Sequence, residues 1–163
     1  MNESQDLDKK SKSLAALRKM ESLGKIDIFI KMGPHELLAL ARGSSEITFQ
    51  PKEVIFAEGD DPLHIYMLLA GRVERDRSSG RIDEIHPGES FGVLAALTRK
   101  PHLYSARALE LSHCLKLERE ILLDVLEDFP ALSLGIFESL AQRIQSLMDR
   151  VEQLEKKETP KRQ

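Results

Sequence analysis

The sequence predicts a mainly β domain with helices at both ends, an antiparallel roll or sandwich. Three observations carry this. Seven short apolar-bearing runs in the middle of the chain are separated by turn residues, apolar positions at helical spacing precede them, and a heptad pattern follows. At 163 residues the chain can enclose one core with appendages, and 41% hydrophobic with 31% charged residues is a globular composition.

Residues 1–12 are polar, include Lys9, Lys10 and Lys12, and show no apolar period, which predicts a mobile arm. Residues 13–43 predict an N-terminal helical segment. Leu14, Leu17, Met20 and Ile26 mark a first short helix that Gly24 stops. Gly33-Pro34 opens a second, Leu37, Leu38, Leu40 and Ala41 supply its buried stripe, and Gly43 closes it.

Residues 44–118 predict the β-roll. Its strands fall at 46–50, 53–57, 64–69, 72–77, 81–85, 103–108 and 113–117, and the separators are rich in Pro, Gly, Asp and Ser. Between the fifth and sixth strands, residues 91–97 predict a short inserted helix whose free backbone N–H groups would attract an anion. Residues 119–157 are helical, interrupted at Pro130, and 158–163 form a tail. Phe137, Leu140, Ile144, Leu147, Val151 and Leu154 alternate spacings of three and four, a heptad seam with Ile144 and Val151 at a and Leu140, Leu147 and Leu154 at d. That choice favours a two-stranded parallel pair, with Arg150 facing the partner's Glu155. Either a homodimer or packing back onto the chain's own roll would cover this seam.

Composition excludes several function classes. The longest apolar run, 65–70, is too short to span a bilayer, and the N-terminus lacks the order of a signal peptide. A net charge of −3 gives no field for nucleic acid, and Arg72, Arg75, Arg77 and Arg81 alternate with Glu74, Asp76, Asp83 and Glu84 as on a solvated hairpin. The single cysteine, Cys114, fits a reducing, cytoplasmic setting. His35, His64, His86, His102 and His113 have no metal-site spacing, and no nucleophile elbow, phosphate loop or dinucleotide fingerprint occurs; a metal centre and an enzyme are not expected.

Four strings occur in order: Lys52-Glu53-Val54-Ile55-Phe56-Ala57-Glu58-Gly59-Asp60, Ile65-Tyr66-Met67-Leu68-Leu69-Ala70-Gly71-Arg72-Val73, His86-Pro87-Gly88-Glu89-Ser90-Phe91-Gly92, and Lys100-Pro101. Together they closely resemble the cyclic-nucleotide-binding domain of catabolite-activator-type regulators, kinase regulatory subunits and gated channels, over roughly residues 26 to 156. The resemblance implies a jelly-roll β-roll (a double-stranded β-helix), a C-terminal dimerisation helix and a regulatory role. It also implies a phosphate cassette that opens at Phe91 and Gly92, in which a glutamate takes the ribose hydroxyl and an arginine after the proline takes the phosphate.

This chain departs from that cassette. Val93 stands at the glutamate position, followed by Leu94; His102 stands at the arginine position, followed by Leu103 and Tyr104. A histidine is mostly neutral at pH 7 and cannot offer the bidentate fork of a guanidinium. Losing both contacts should weaken cyclic nucleotide binding on the order of 10²- to 10³-fold. Three readings fit these residues: a degenerate pocket that Leu103 helps to fill in a protein-interaction module with no cofactor, an altered site for a cyclic nucleotide or other small anion, and weak ordinary binding. Family members that read DNA carry a further domain after the dimer helix; residues 155–163 are too few for one, so direct nucleic-acid binding is not expected and an unidentified protein partner is.

Overall fold

The computed structural model describes residues 3–158. Its elements run α1 (Glu3–Leu23), α2 (Pro34–Gly43), β1 (Ser44–Phe49), β2 (Val54–Phe56), β3 (His64–Ala70), β4 (Val73–Arg77), β5 (Gly80–Ile85), β6 (Ser90–Phe91), α3 (Val93–Thr98), β7 (Ser105–Ala108), β8 (Ser112–Glu118), α4 (Arg119–Asp128) and α5 (Pro130–Glu158). The strands make two antiparallel four-stranded sheets, ordered β1-β8-β3-β6 and β2-β7-β4-β5, the expected roll.

Two cores share the first sheet. Tyr66, Leu68 and Cys114 point inward to Phe49, Phe56, Val73, Ile85, Phe91, Ala106 and Ala108. Ile65, Met67, Leu115 and Leu117 point outward to a helical layer containing Leu23, Ile26, Phe29, Leu40, Leu122, Leu132 and Ile136. Burial on both faces is why β3 reads as an unbroken apolar run rather than an alternating strand. The β4–β5 hairpin of the second sheet instead carries a ladder of ion pairs, Arg72 to Glu84 and Glu110, Arg81 to Glu74 and Glu84, and Arg75 to Asp83. Its basic residues are thus largely balanced, as their alternation with acids implied.

Gly71, at φ +95°, makes the tight turn from β3 to β4; a Cβ there would lie 2.5 Å from Ser112 Oγ and 2.6 Å from the Leu111 carbonyl oxygen. Cys114 is 1% exposed on the central strand β8, and burial pushes its thiol up to about 12.

Several expectations need correction. The stretch expected to be an arm is helical from Glu3, continuous with the turns that pack Ala16 and Leu23 into the interior, so α1 needs no apolar period over its first turns. Among the described residues there are eight strands rather than about seven, because Ser90 and Phe91 pair with Met67 and Tyr66 as β6. The inserted helix therefore starts at Val93 rather than 91, and Leu103 and Tyr104 precede β7 instead of belonging to it. Of the expected tail, residues 159–163 lie outside the described residues.

Candidate functional site

The site forms where α3, the segment before β7, the β4–β5 hairpin and α5 meet. Gly92 supplies the corner: at φ +79° it ends β6 and opens α3, and a Cβ would stand 3.2 Å from the His64 carbonyl oxygen and 3.4 Å from His102 Cε1. Its N–H donates to Tyr104 Oη at 3.3 Å, so a protein hydroxyl occupies a group the cassette would offer a ligand. With only six residues, α3 packs Val93, Ala95 and Ala96 inward and leaves Leu94 exposed.

His102 is anchored at both ends of its peptide. Its N–H donates to the Asp60 carbonyl at 3.0 Å and its carbonyl accepts from the Gly59 N–H at 2.8 Å. The imidazole lies flat on Phe56, with centroids 3.7 Å apart and planes 12° from parallel, and the residue is 4% exposed. Burial holds its proton affinity below the ordinary histidine value, and Asp60 opposes that only in part. The residue at the arginine position is thus a neutral ring stacked in the wall.

Gly92, Leu94, His102, Leu103 and Tyr104 all line one cavity of about 290 Å³. Phe91 and Val93 do not: Phe91 stacks on Tyr66 inside the roll, and Val93 packs with Ala96 against the helical layer. Leu103 does not fill the space vacated by arginine; it is 53% exposed and the cavity stays open, because the Arg77 Nε to Leu103 carbonyl bond at 2.8 Å holds that segment on the rim.

Four charged or apolar side chains of the hairpin, Arg75, Arg77, Ile82 and Asp83, complete the wall, together with Ala95 and Leu147. Arg75 and Asp83 are register partners across the hairpin and form a bidentate pair at 2.6 and 2.5 Å. Burial works against the Arg75 charge, but its bonds to the Asp83 carboxylate, with Tyr104 beside it, outweigh burial and keep that guanidinium above its usual value. Its Cζ also sits 5.4 Å from the Tyr104 ring centroid. The heptad reading assigned Leu147 to the dimer seam alone, and the hairpin residues read as a solvated face; Ile82, a lone aliphatic residue among charges, was the one signal that this hairpin meets something apolar.

The seam divides. Leu140 packs against the helical layer, whereas Phe137, Ile144, Leu147, Val151 and Leu154 are exposed. Between them Arg143 pairs with Asp27 and lies 3.3 Å from Ser90 Oγ, while Asp27 Oδ1 accepts from the Ile28 N–H and the Ser90 hydroxyl, tying α5 to the roll. Among the described residues no helix is long and apolar enough to cross a membrane, and no three metal-ligating side chains converge.

The chain is similar to a cAMP-dependent protein kinase regulatory subunit of Dictyostelium discoideum, 29% identical over 108 residues that make up 61% of this chain and 33% of that one. It is 26% identical to a CRP-like cAMP-activated global transcriptional regulator of Mycobacterium tuberculosis, covering 76% of this chain and 58% of the relative. It therefore spans less than two thirds of either curated relative. Among solved structures, the catabolite activator protein of Thermus thermophilus superposes with a TM-score of 0.68 at 26% identity, over 79% of this chain and 63% of that one. The family model described as cyclic nucleotide-binding domain matches residues 46–129, about half of the chain. With the glycine-punctuated roll, the inserted helix after Phe91-Gly92 and this match in agreement, the chain belongs to the cyclic nucleotide-binding domain family.

Proposed function

We propose that this domain is a non-catalytic regulatory module that does not hold cAMP or cGMP in the manner of its family, and that it pairs with a second copy through α5. One observation carries the first half. The side chain at the phosphate-gripping position is a buried, neutral imidazole stacked on Phe56, and the side chain at the ribose-gripping position, Val93, faces the helical core. Neither can supply a charge to a cyclic phosphodiester. The regulatory relatives and the absence of catalytic motifs from the sequence support a role in signalling through contacts, with one buried thiol suited to the cytoplasm.

Calorimetry of the purified chain with cAMP and cGMP tests this. The expected result is no saturable binding at micromolar concentrations; tight binding abolished by His102→Ala would overturn it. A second reading, a sensor for another ligand, is favoured by one specific finding: a cavity of about 290 Å³ lies open between α3, the β4–β5 hairpin and Leu147.

A further inference from the structure

Ile82, Leu94, Leu103 and Leu147 are each between 45% and 57% exposed, come from four different segments, and all line this one cavity. Aliphatic residues scattered singly over a surface need no explanation, but four converging on a concavity mark a place where an apolar body is taken out of water. The cavity lies near the lower end of the range of small-molecule sites, roughly 300 to 1,000 Å³.

Charge defines the rest of the ligand. Arg75 and Asp83 neutralise each other through two short bonds. Arg77 is different: it lines the same cavity, its Nε donates to the Leu103 carbonyl at 2.8 Å, and among the described residues it forms no ion pair. One guanidinium at the rim is therefore without an ion pair among the described residues.

We infer that the cavity takes an organic monoanion with an apolar body, of the class of single-ring or medium-chain carboxylic acids, its carboxylate on Arg77 and its body against Ile82, Leu94, Leu103 and Leu147. This rests on the second reading above, that the cavity is a ligand site, and adds the class of ligand. The ribose hydroxyls of a nucleotide would meet aliphatic groups here, whereas an apolar acid leaves no polar group unpaired.

The test is calorimetry of the full chain with phenylacetate and octanoate, with the matched neutral amides, and with cAMP. At least one acid should bind saturably, its amide about tenfold more weakly or worse, as expected for loss of a charge-assisted bond. Arg77→Gln should lower acid affinity by a similar factor. Leu94→Trp, a change at an exposed wall residue, should block the cavity and abolish binding. No saturation with either acid, equal binding of acid and amide, or indifference to Arg77→Gln overturns the inference. Silence of the acids together with silence of cAMP overturns it while leaving the primary functional reading intact; saturable cAMP binding that no acid displaces overturns both. Sedimentation of a Leu94→Glu, Leu103→Glu variant decides the competing occupant: an unchanged association state supports the ligand site, and a switch to monomer assigns the patch to a second copy.

Discussion

Along α5, Leu132 and Ile136 are 5% and 2% exposed, whereas Ile144, Val151 and Leu154, on the same helix and at the same kind of spacing, are all more than half exposed. The proximal turns join the helical-layer core, beside the turn that carries Asp27, Ile28 and Lys31. From Ile144 to Lys156 every side chain is exposed. The helix changes environment at Arg143, whose pairing with Asp27 is the last tie to the N-terminal turn, and burial there holds its guanidinium below the ordinary arginine value. Heptad spacing specifies the direction of a stripe, not what covers it.

The sharpest way to break this comparison is to truncate one residue on each side. Ile136→Ala should cost about 2–5 kcal/mol of unfolding free energy in denaturant titration, because it opens a cavity in a closed core. A loss below about 1 kcal/mol would show that the proximal turns are not part of the cooperative fold. The Ile144→Lys, Leu147→Lys double variant should halve the mass in sedimentation while leaving the circular dichroism of the folded chain unchanged, since both sites are exposed on the single chain. Wild type and variant sedimenting alike as monomers would remove the dimer from the reading.

The smallest expected effect concerns pH. His102 is neutral in the fold, and its affinity for a proton lies below the ordinary value of 6.5. Its contribution is therefore complete above about pH 6.5 and declines as pH falls below it, because the unfolded chain binds a proton that the folded one must release. His64, whose affinity is lowered mainly by burial, adds a slope of the same sign. His102→Gln should flatten the stability profile between about pH 6.5 and 5 without erasing it. Identical slopes for variant and wild type would mean that the ring is solvated, not stacked.

The roll was legible because its determinants are local. Turn chemistry at Gly59, Gly71 and Gly88 punctuates the strands, and all three take the positive φ that the turns require. The cassette departures at 93 and 102 were legible as residue types, but not as environments. Nothing local tells that Val93 turns into the helical layer while Leu94 turns to the cavity, or that Phe56, 46 residues before His102, stacks on its ring. Arg75 and Asp83 read as members of a solvated ladder because strand alternation alone does not say which rung closes over a pocket. The start of α1 was missed for the opposite reason: polar residues that begin a longer helix carry no period of their own.

Cys114 gives the molecule an internal reporter. At the centre of β8, 1% exposed and with burial pushing its thiol up to about 12, the sulfur is shielded from reagents and held as the neutral thiol while β8 stays paired with β1 and β3. A thiol-directed dye should therefore label the native chain only at the rate at which β8 opens, so a single-cysteine labelling time course, without any engineered probe, reads the frequency of that opening.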